Sequence, residues 1–258
     1  MKYLYMLSMV VAGLVAGVWA DGTAQAKQAK ADELRFVLYY PQVPPYMYQD
    51  AKTQRVVGVV PELLQDYFAQ QQIKVNFVAD NRTRAEHRLY QGDVDAMLVA
   101  KEWTQQPQRL VFSEPLLEHQ DYLFSLQPTA AQGELVDWVK GKSVCTRQYY
   151  VYQALAPLFD SHNAVRVDSS DEEAQMKMLL NGRCDFAYMN DNVANWLLKN
   201  RFPERHVYHS ATGFGGVGLT IAFTPRWAPY LKSFNQYLQQ QKRDGSIEQW
   251  LKFYITKP

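Results

Sequence analysis

Two stretches of this chain repeat one another 90 positions apart. Leu89–Glu102 reads LYQGDVDAMLVAKE and Leu179–Asp191 reads LLNGRCDFAYMND, which aligns Gly92-x-x-Asp95 with Gly182-x-x-Asp185. The strand-like runs upstream keep the same offset, Lys74–Val78 (KVNFV) against Ala164–Asp168 (AVRVD), and a helical run precedes each, Glu62–Phe68 and Gln153–Phe159. An ordered set of helix, strand, helix, GxxD and strand, present twice, predicts two similar α/β lobes, each a central sheet flanked by helices. In the second copy a helix ends at Leu179-Leu180 and stops at Gly182. A buried strand, Cys184–Met189, then ends on the polar pair Asn190-Asp191. Ligands of open α/β sheets sit beyond the carboxyl ends of the strands, so Asn190 and Asp191 are the first candidate site residues.

The length of 258 residues accommodates two lobes of about 100 each. Charge is balanced, 27 basic against 26 acidic residues, without the positive excess that nucleic-acid binding requires. Met1-Lys2, the apolar run Tyr3–Val18 and the small residues of Val18-Trp-Ala20 form a secretory signal pattern, which predicts a signal peptide over 1–20, with an alternative cleavage after Ala26. A polar linker over 21–33 follows, and the product is expected to be exported, soluble in the periplasm and monomeric. Export permits a disulfide between Cys145 and Cys184, both on predicted core strands; the residues leave two readings open, a disulfide or two buried thiols.

Along the chain, Leu34–Tyr39 is the first strand, and Pro41–Pro45 forces an extended turn. Tyr46–Tyr48 and Arg55–Val60 form a hairpin arm, and Pro61 opens a helix over Glu62–Gln71. Strand Val75–Val78, helix Arg84–Tyr90 and strand Val94–Val99 complete the first lobe, and Tyr122–Leu126 is a strand leading out of it. Strand Ser143–Arg147 starts the second lobe, which runs to helix Asn192–Asn200. Gly213–Gly218 lacks the Lys-Ser/Thr of a phosphate loop and leads into a strand (Leu219–Phe223), so it reads as flexible chain at a crossover. Helices over Ala228–Arg243 and Ile247–Phe253 close the chain.

Taken in order, these landmarks resemble the extracellular solute-binding proteins of family 3, the periplasmic components of amino-acid ABC transporters. Pro44-Pro-Tyr-Met-Tyr48 with Gly58-Val-Val-Pro-Glu-Leu63 resembles the family's opening motif. Arg88–Asp95 resembles its GxxD strand, Phe112-Ser-Glu-Pro115 its "FS.PY", Val139-Lys-Gly-Lys142 its "LKGK", and Asp244-Gly-Ser-Ile247 its closing helix. The resemblance covers nearly the whole chain after the leader. It implies a type II periplasmic binding fold with two crossovers, lobe one being 34–117 plus 219–258 and lobe two 118–218, with a small polar, amino-acid-like ligand trapped between them by hinge closure. It implies as partner an ABC permease, or alternatively a membrane sensor.

The family's carboxylate-binding Arg would stand six residues before Phe112, where this chain has Gln106, with Arg109 three before it. The family's ammonium-binding Asp falls on Asn190, with Asp191 one beyond, and Tyr149-Tyr150 replaces the "GT" that follows the LKGK strand. The same alignment brings Tyr40, Arg82, Glu102, Trp103, Arg147, Gln148 and Tyr149 to the cleft lip. There Arg147 would pair an anionic group, Glu102 or Asp191 an amine, and Tyr40, Trp103 and Tyr149 would stack on a ring or cation. Some enzymes of this fold, such as cyclohexadienyl dehydratases, use a cleft carboxylic acid, a role open to Glu102. No Ser-His-Asp order, HExxH or CxxC is present; His206 and His209 lack a third ligand, and no cofactor or metal is expected.

Overall fold

The computed structural model describes residues 33–128 and 133–256. The expected signal peptide (1–20, or to 26) and the linker up to residue 32 lie outside the described residues. In chain order the elements are β1 (Glu33–Tyr39), β2 (Tyr48–Gln49), β3 (Val56–Val57), α1 (Val59–Gln70), β4 (Lys74–Asp80), α2 (Arg82–Gln91), β5 (Ala96–Val99), β6 (Val111–Phe112) and β7 (Leu117–Ser125). They continue with α3 (Leu135–Val139), β8 (Lys142–Arg147), α4 (Ala156–Asp160), β9 (Ala164–Ser169), α5 (Glu172–Leu180), β10 (Phe186–Asn190) and α6 (Asp191–Asn200). Last come β11 (Tyr208–His209), β12 (Phe214–Phe223), α7 (Ala228–Arg243) and α8 (Ser246–Thr256).

The sheet runs β4-β1-β5-β12-β7-β10-β8-β9. Its two wings are alike: β4, β1 and β5 pair parallel on one side, and β9, β8 and β10 pair parallel on the other. The central strands β7 and β12 are antiparallel to their neighbours, and each serves both wings. The Thr220–Phe223 end of β12 pairs with β5 while its start pairs with β7, whose Asp121–Phe124 end pairs with β10. The architecture is α/β with two lobes, each a central sheet flanked by helices, joined by two crossover strands. One apolar cluster includes Phe36, Leu63, Phe68, Met97, Leu179, Trp196 and Phe234. A smaller one holds Leu123, Val139, Val144, Leu155 and Tyr188. Burying each such side chain contributes about 1.5–3 kcal/mol.

Local chemistry explains most boundaries. Asn81 and Asp171 cap α2 and α5 by accepting from Arg84 N and Ala174 N, while Gly92 ends α2 with a φ of 79° that glycine adopts freely. Two expectations are corrected, and one left open is decided. The hairpin arm is shorter than Arg55–Val60, because Val59 and Val60 join α1 after Gly58, whose φ of 126° and close approach to the Tyr46 carbonyl exclude a side chain. The Gly213–Gly218 run is mostly strand, not loop: from Phe214 it belongs to β12, and a Cβ at Gly218 would stand 2.6 Å from Pro115 Cγ, so glycine serves close packing of the two crossovers. Cys145 on β8 and Cys184, in the turn that leads into β10, form a disulfide with their Cα atoms 5.7 Å apart.

Candidate functional site

A cavity of about 390 Å³ opens where the two wings meet, and the carboxyl ends of six strands deliver residues to it. Tyr39 comes from the end of β1, Arg82 follows β4, and Glu102 and Trp103 follow β5. From the other wing, Tyr149–Gln153 follow β8, Glu172 follows β9, and Asn190 ends β10. His119 and Asp121 project from the crossover strand β7.

On the first wing, Arg82 and Glu86 face each other one turn apart on α2, with the guanidinium donating to the carboxylate and to the Trp103 carbonyl at 3.0 Å. Glu86 also accepts from Tyr90 Oη at 2.5 Å and from Gln105 N at 2.6 Å, which pins the turn after β5 to α2. Burial alone would raise the Glu86 carboxyl, but these donors outweigh it and hold the group below its ordinary value. The Trp103 ring meets the His119 ring edge-on at 5.0 Å, and His119 Nε2 lies 3.3 Å from Asp121 Oδ1. Trp103, His119 and Asp121 therefore form one continuous wall from β5 to the crossover.

On the second wing, Arg147 donates to Glu172 and stacks 4.5 Å over the Tyr150 ring. Burial pushes the Glu172 carboxyl up, and Arg147 draws it back only in part. Burial also raises the Tyr39 phenol, to about 12. Tyr149 is 86% exposed at the mouth, with φ at 65°, a left-handed conformation at the position where the resemblance expects glycine.

Of the residues expected at the cleft, Arg82, Glu102, Trp103, Tyr149 and Asn190 line the cavity. Tyr40, Arg147, Gln148 and Asp191 do not. Tyr40 points outward, 70% exposed, and Arg147 sits behind the wall with its charge committed to Glu172. The Gln148 backbone N–H donates to the Ser169 carbonyl, and Asp191 accepts from Asn192 N in the first turn of α6. Arg109 turns away, donating to the Tyr90 carbonyl and stacking on its ring. Sequence reasoning missed Tyr39, Tyr46, Glu86, His119, Asp121, Tyr150, Tyr152, Glu172 and Gln175, all of which line the cavity. Only the Arg82–Glu86 spacing on a capped helix carried a readable signal. Among the described residues no group of three or more His, Cys, Asp or Glu is placed to hold a metal ion, and no helix is long and apolar enough to cross a membrane.

Known proteins share this fold. Among solved structures, an ancestral arginine-binding protein bound to arginine superposes with a TM-score of 0.70 at 19% identity, covering 87% of this chain and 99% of its own. A binding component of an ABC transporter from Wolinella succinogenes, complexed with lysine, gives 0.72 at 18% identity over 88% and 97% of the two chains. A histidine kinase sensor domain with similarity to periplasmic binding proteins gives 0.70 at 17% identity over 87% and 96%. Comparison with curated protein sequences gives no match. The profile of the bacterial extracellular solute-binding proteins, family 3, matches residues 36–257, and the chain belongs to that family.

Proposed function

We propose that the protein captures a small, polar, amino-acid-like solute between its lobes, as an exported monomer, and hands it to an ABC permease. The observation that carries this reading is the convergence of strand ends from both wings on one cavity, because a ligand touching both is held best when the lobes close. The moving bodies in this reading are residues 34–117 with 219–258, and residues 118–218. The hinge is the pair of crossover strands, where the register of β12 against β7 shifts between Phe214 and Val217. Arg82, Glu102, Trp103 and Tyr149 are its contact residues, and it involves no chemistry on the solute. Solved neighbours support it: one is the substrate-binding protein of an amino-acid ABC transporter. The sensor domain among them keeps a second partner in view, a membrane sensor.

The test is a thermal-shift screen over amino acids, polyamines, short peptides and aromatic acids, followed by small-angle scattering with any hit. A ligand at a hundred times its Kd should stabilise by about 2.7 kcal/mol, with a measurable drop in radius of gyration. Stabilisation without compaction would remove hinge closure, and no hit in the screen would remove the solute classes named. Loss of solute uptake in a deletion strain assigns the permease; retained uptake with a lost transcriptional response assigns the sensor.

A further inference from the structure

Several polar atoms that the cavity wall leaves unengaged share one character: they accept hydrogen bonds. Gln175 is fully buried on α5 and lines the cavity. Its Nε2 donates to the carbonyls of Cys145 and Tyr188, both at 2.8 Å, which fixes the amide orientation and leaves Oε1 without a partner among the described residues. His119 Nδ1 is likewise buried and unpartnered. With Nε2 turned to Asp121, a neutral imidazole would carry its proton on Nε2 and leave Nδ1 as an acceptor. Among the described residues neither Glu102 nor Asp121 has a Lys or Arg within ion-pair distance.

The guanidiniums, by contrast, are already matched. Arg82 faces Glu86 and the Trp103 carbonyl, and Arg147 faces Glu172. A carboxylate entering this cavity would meet the Glu102 carboxylate, Asp121 with only His119 beside it, and the unpartnered Gln175 Oε1. A group rich in N–H donors would meet partners there, with the aromatic rings of Tyr39 and Trp103 in the same lining.

We propose that the captured solute is an N–H-rich organic cation, of the guanidinium or polyamine class, gripped by its cationic end with no clamp on a carboxylate. This rests on capture in the cleft and adds the charge and donor pattern of what is caught. The positively charged end lies toward Glu102, Asp121 and Gln175.

Isothermal titration of the full chain with agmatine, putrescine, L-arginine, L-glutamine and L-glutamate tests it, since agmatine is arginine without the carboxylate. Agmatine should bind at least as tightly as L-arginine, and L-glutamate at least about 100-fold more weakly than agmatine. Glu102→Gln, on an exposed turn where the fold tolerates change, should weaken agmatine about 10- to 100-fold, the usual effect of losing one charge-assisted hydrogen bond. L-arginine binding while agmatine fails, tighter binding of L-glutamate or L-glutamine, or an unchanged agmatine affinity in Glu102→Gln would each overturn the inference while leaving capture intact. Silence from all five probes also overturns it; capture then survives only if another solute binds and compacts the protein.

Discussion

The Tyr46 hydroxyl donates to Asn190 Oδ1 over 2.7 Å, joining the turn after β1 to the carboxyl end of β10. The same oxygen accepts from Asn192 N and Val193 N, capping α6, while Asn190 Nδ2 donates to the Gln120 carbonyl at 2.9 Å. At the position where the family resemblance expects an ammonium-binding Asp, this side chain is committed to joining a helix, a crossover strand and the opposite wing. A carboxylate could accept the first three bonds, but it has no N–H for Gln120.

Removing one partner from this node should cost less than removing its centre. Tyr46→Phe loses the bond to Asn190 and the longer one accepted from Asn192 Nδ2 at 3.3 Å, and leaves Asn190 otherwise satisfied, for an expected loss of about 1 kcal/mol. Asn190→Ala removes the cap and strands both the Tyr46 hydroxyl and the Gln120 carbonyl, for about 2–3 kcal/mol. Urea midpoints at unchanged slope check the ordering, and an equal cost for the two variants would contradict it.

Arg147 is expected to matter for folding before binding. Its side chain and that of Glu172 are 7% and 14% exposed, so Arg147→Ala leaves a largely buried carboxylate without its partner, at a cost of about 3–5 kcal/mol at pH 7. Burial already raises the Glu172 carboxyl, and without Arg147 it should protonate more readily. The deficit of the variant relative to the parent therefore shrinks as pH falls. The double change Arg147→Met with Glu172→Leu should recover most of the loss, read from urea denaturation at pH 7 and pH 5.

Acid stability should depend on Asp80. Burial pushes its carboxyl up, but Arg88, Arg84 and the Asn81 amide outweigh that and hold it below the usual carboxylate range. A depressed native value stabilises fully above the unfolded value of about 4. Below that pH the unfolded chain takes up its proton first, and the contribution is lost as pH falls through the native value. Glu86 and Asp185 act in the same direction. Asp80→Asn should lower stability at pH 7 and flatten the fall between about pH 4 and pH 2; thermal melts across that range decide it, and an unchanged slope would exclude Asp80.

The Cys145–Cys184 disulfide closes a segment with a sequence separation of 39, which the chain-entropy account values at about 3–4 kcal/mol. Reduction, or the paired change of both cysteines to alanine, should shift the urea midpoint accordingly and leave ligand affinity within about threefold, because neither cysteine lines the cavity. A large loss of affinity at unchanged stability would show that the bond positions the site.

What the sequence alone determined is the doubled α/β plan. Asp95 and Asp185 show why: Asp95 N donates to the Arg35 carbonyl and its carboxylate accepts from Arg35 N, and Asp185 does the same with Ser143. Gly92 and Gly182 end the preceding helices with positive φ in both copies. Such features are written in apolar period, caps and turn residues, which act over a few positions. The end of the Cys184–Met189 strand was legible for the same reason and pointed to Asn190, while the family resemblance brought Arg82, Glu102, Trp103 and Tyr149 to the cavity. Only the tertiary structure decided which charges were already matched. Glu172 reaches Arg147 from 25 residues away, and Cys145 on β8 meets Cys184 in the turn before β10. Gln175 holds two carbonyls of neighbouring strands. Those pairings follow from packing across the sheet, where a side chain's partner depends on register and rotamer and leaves no periodic trace in the chain.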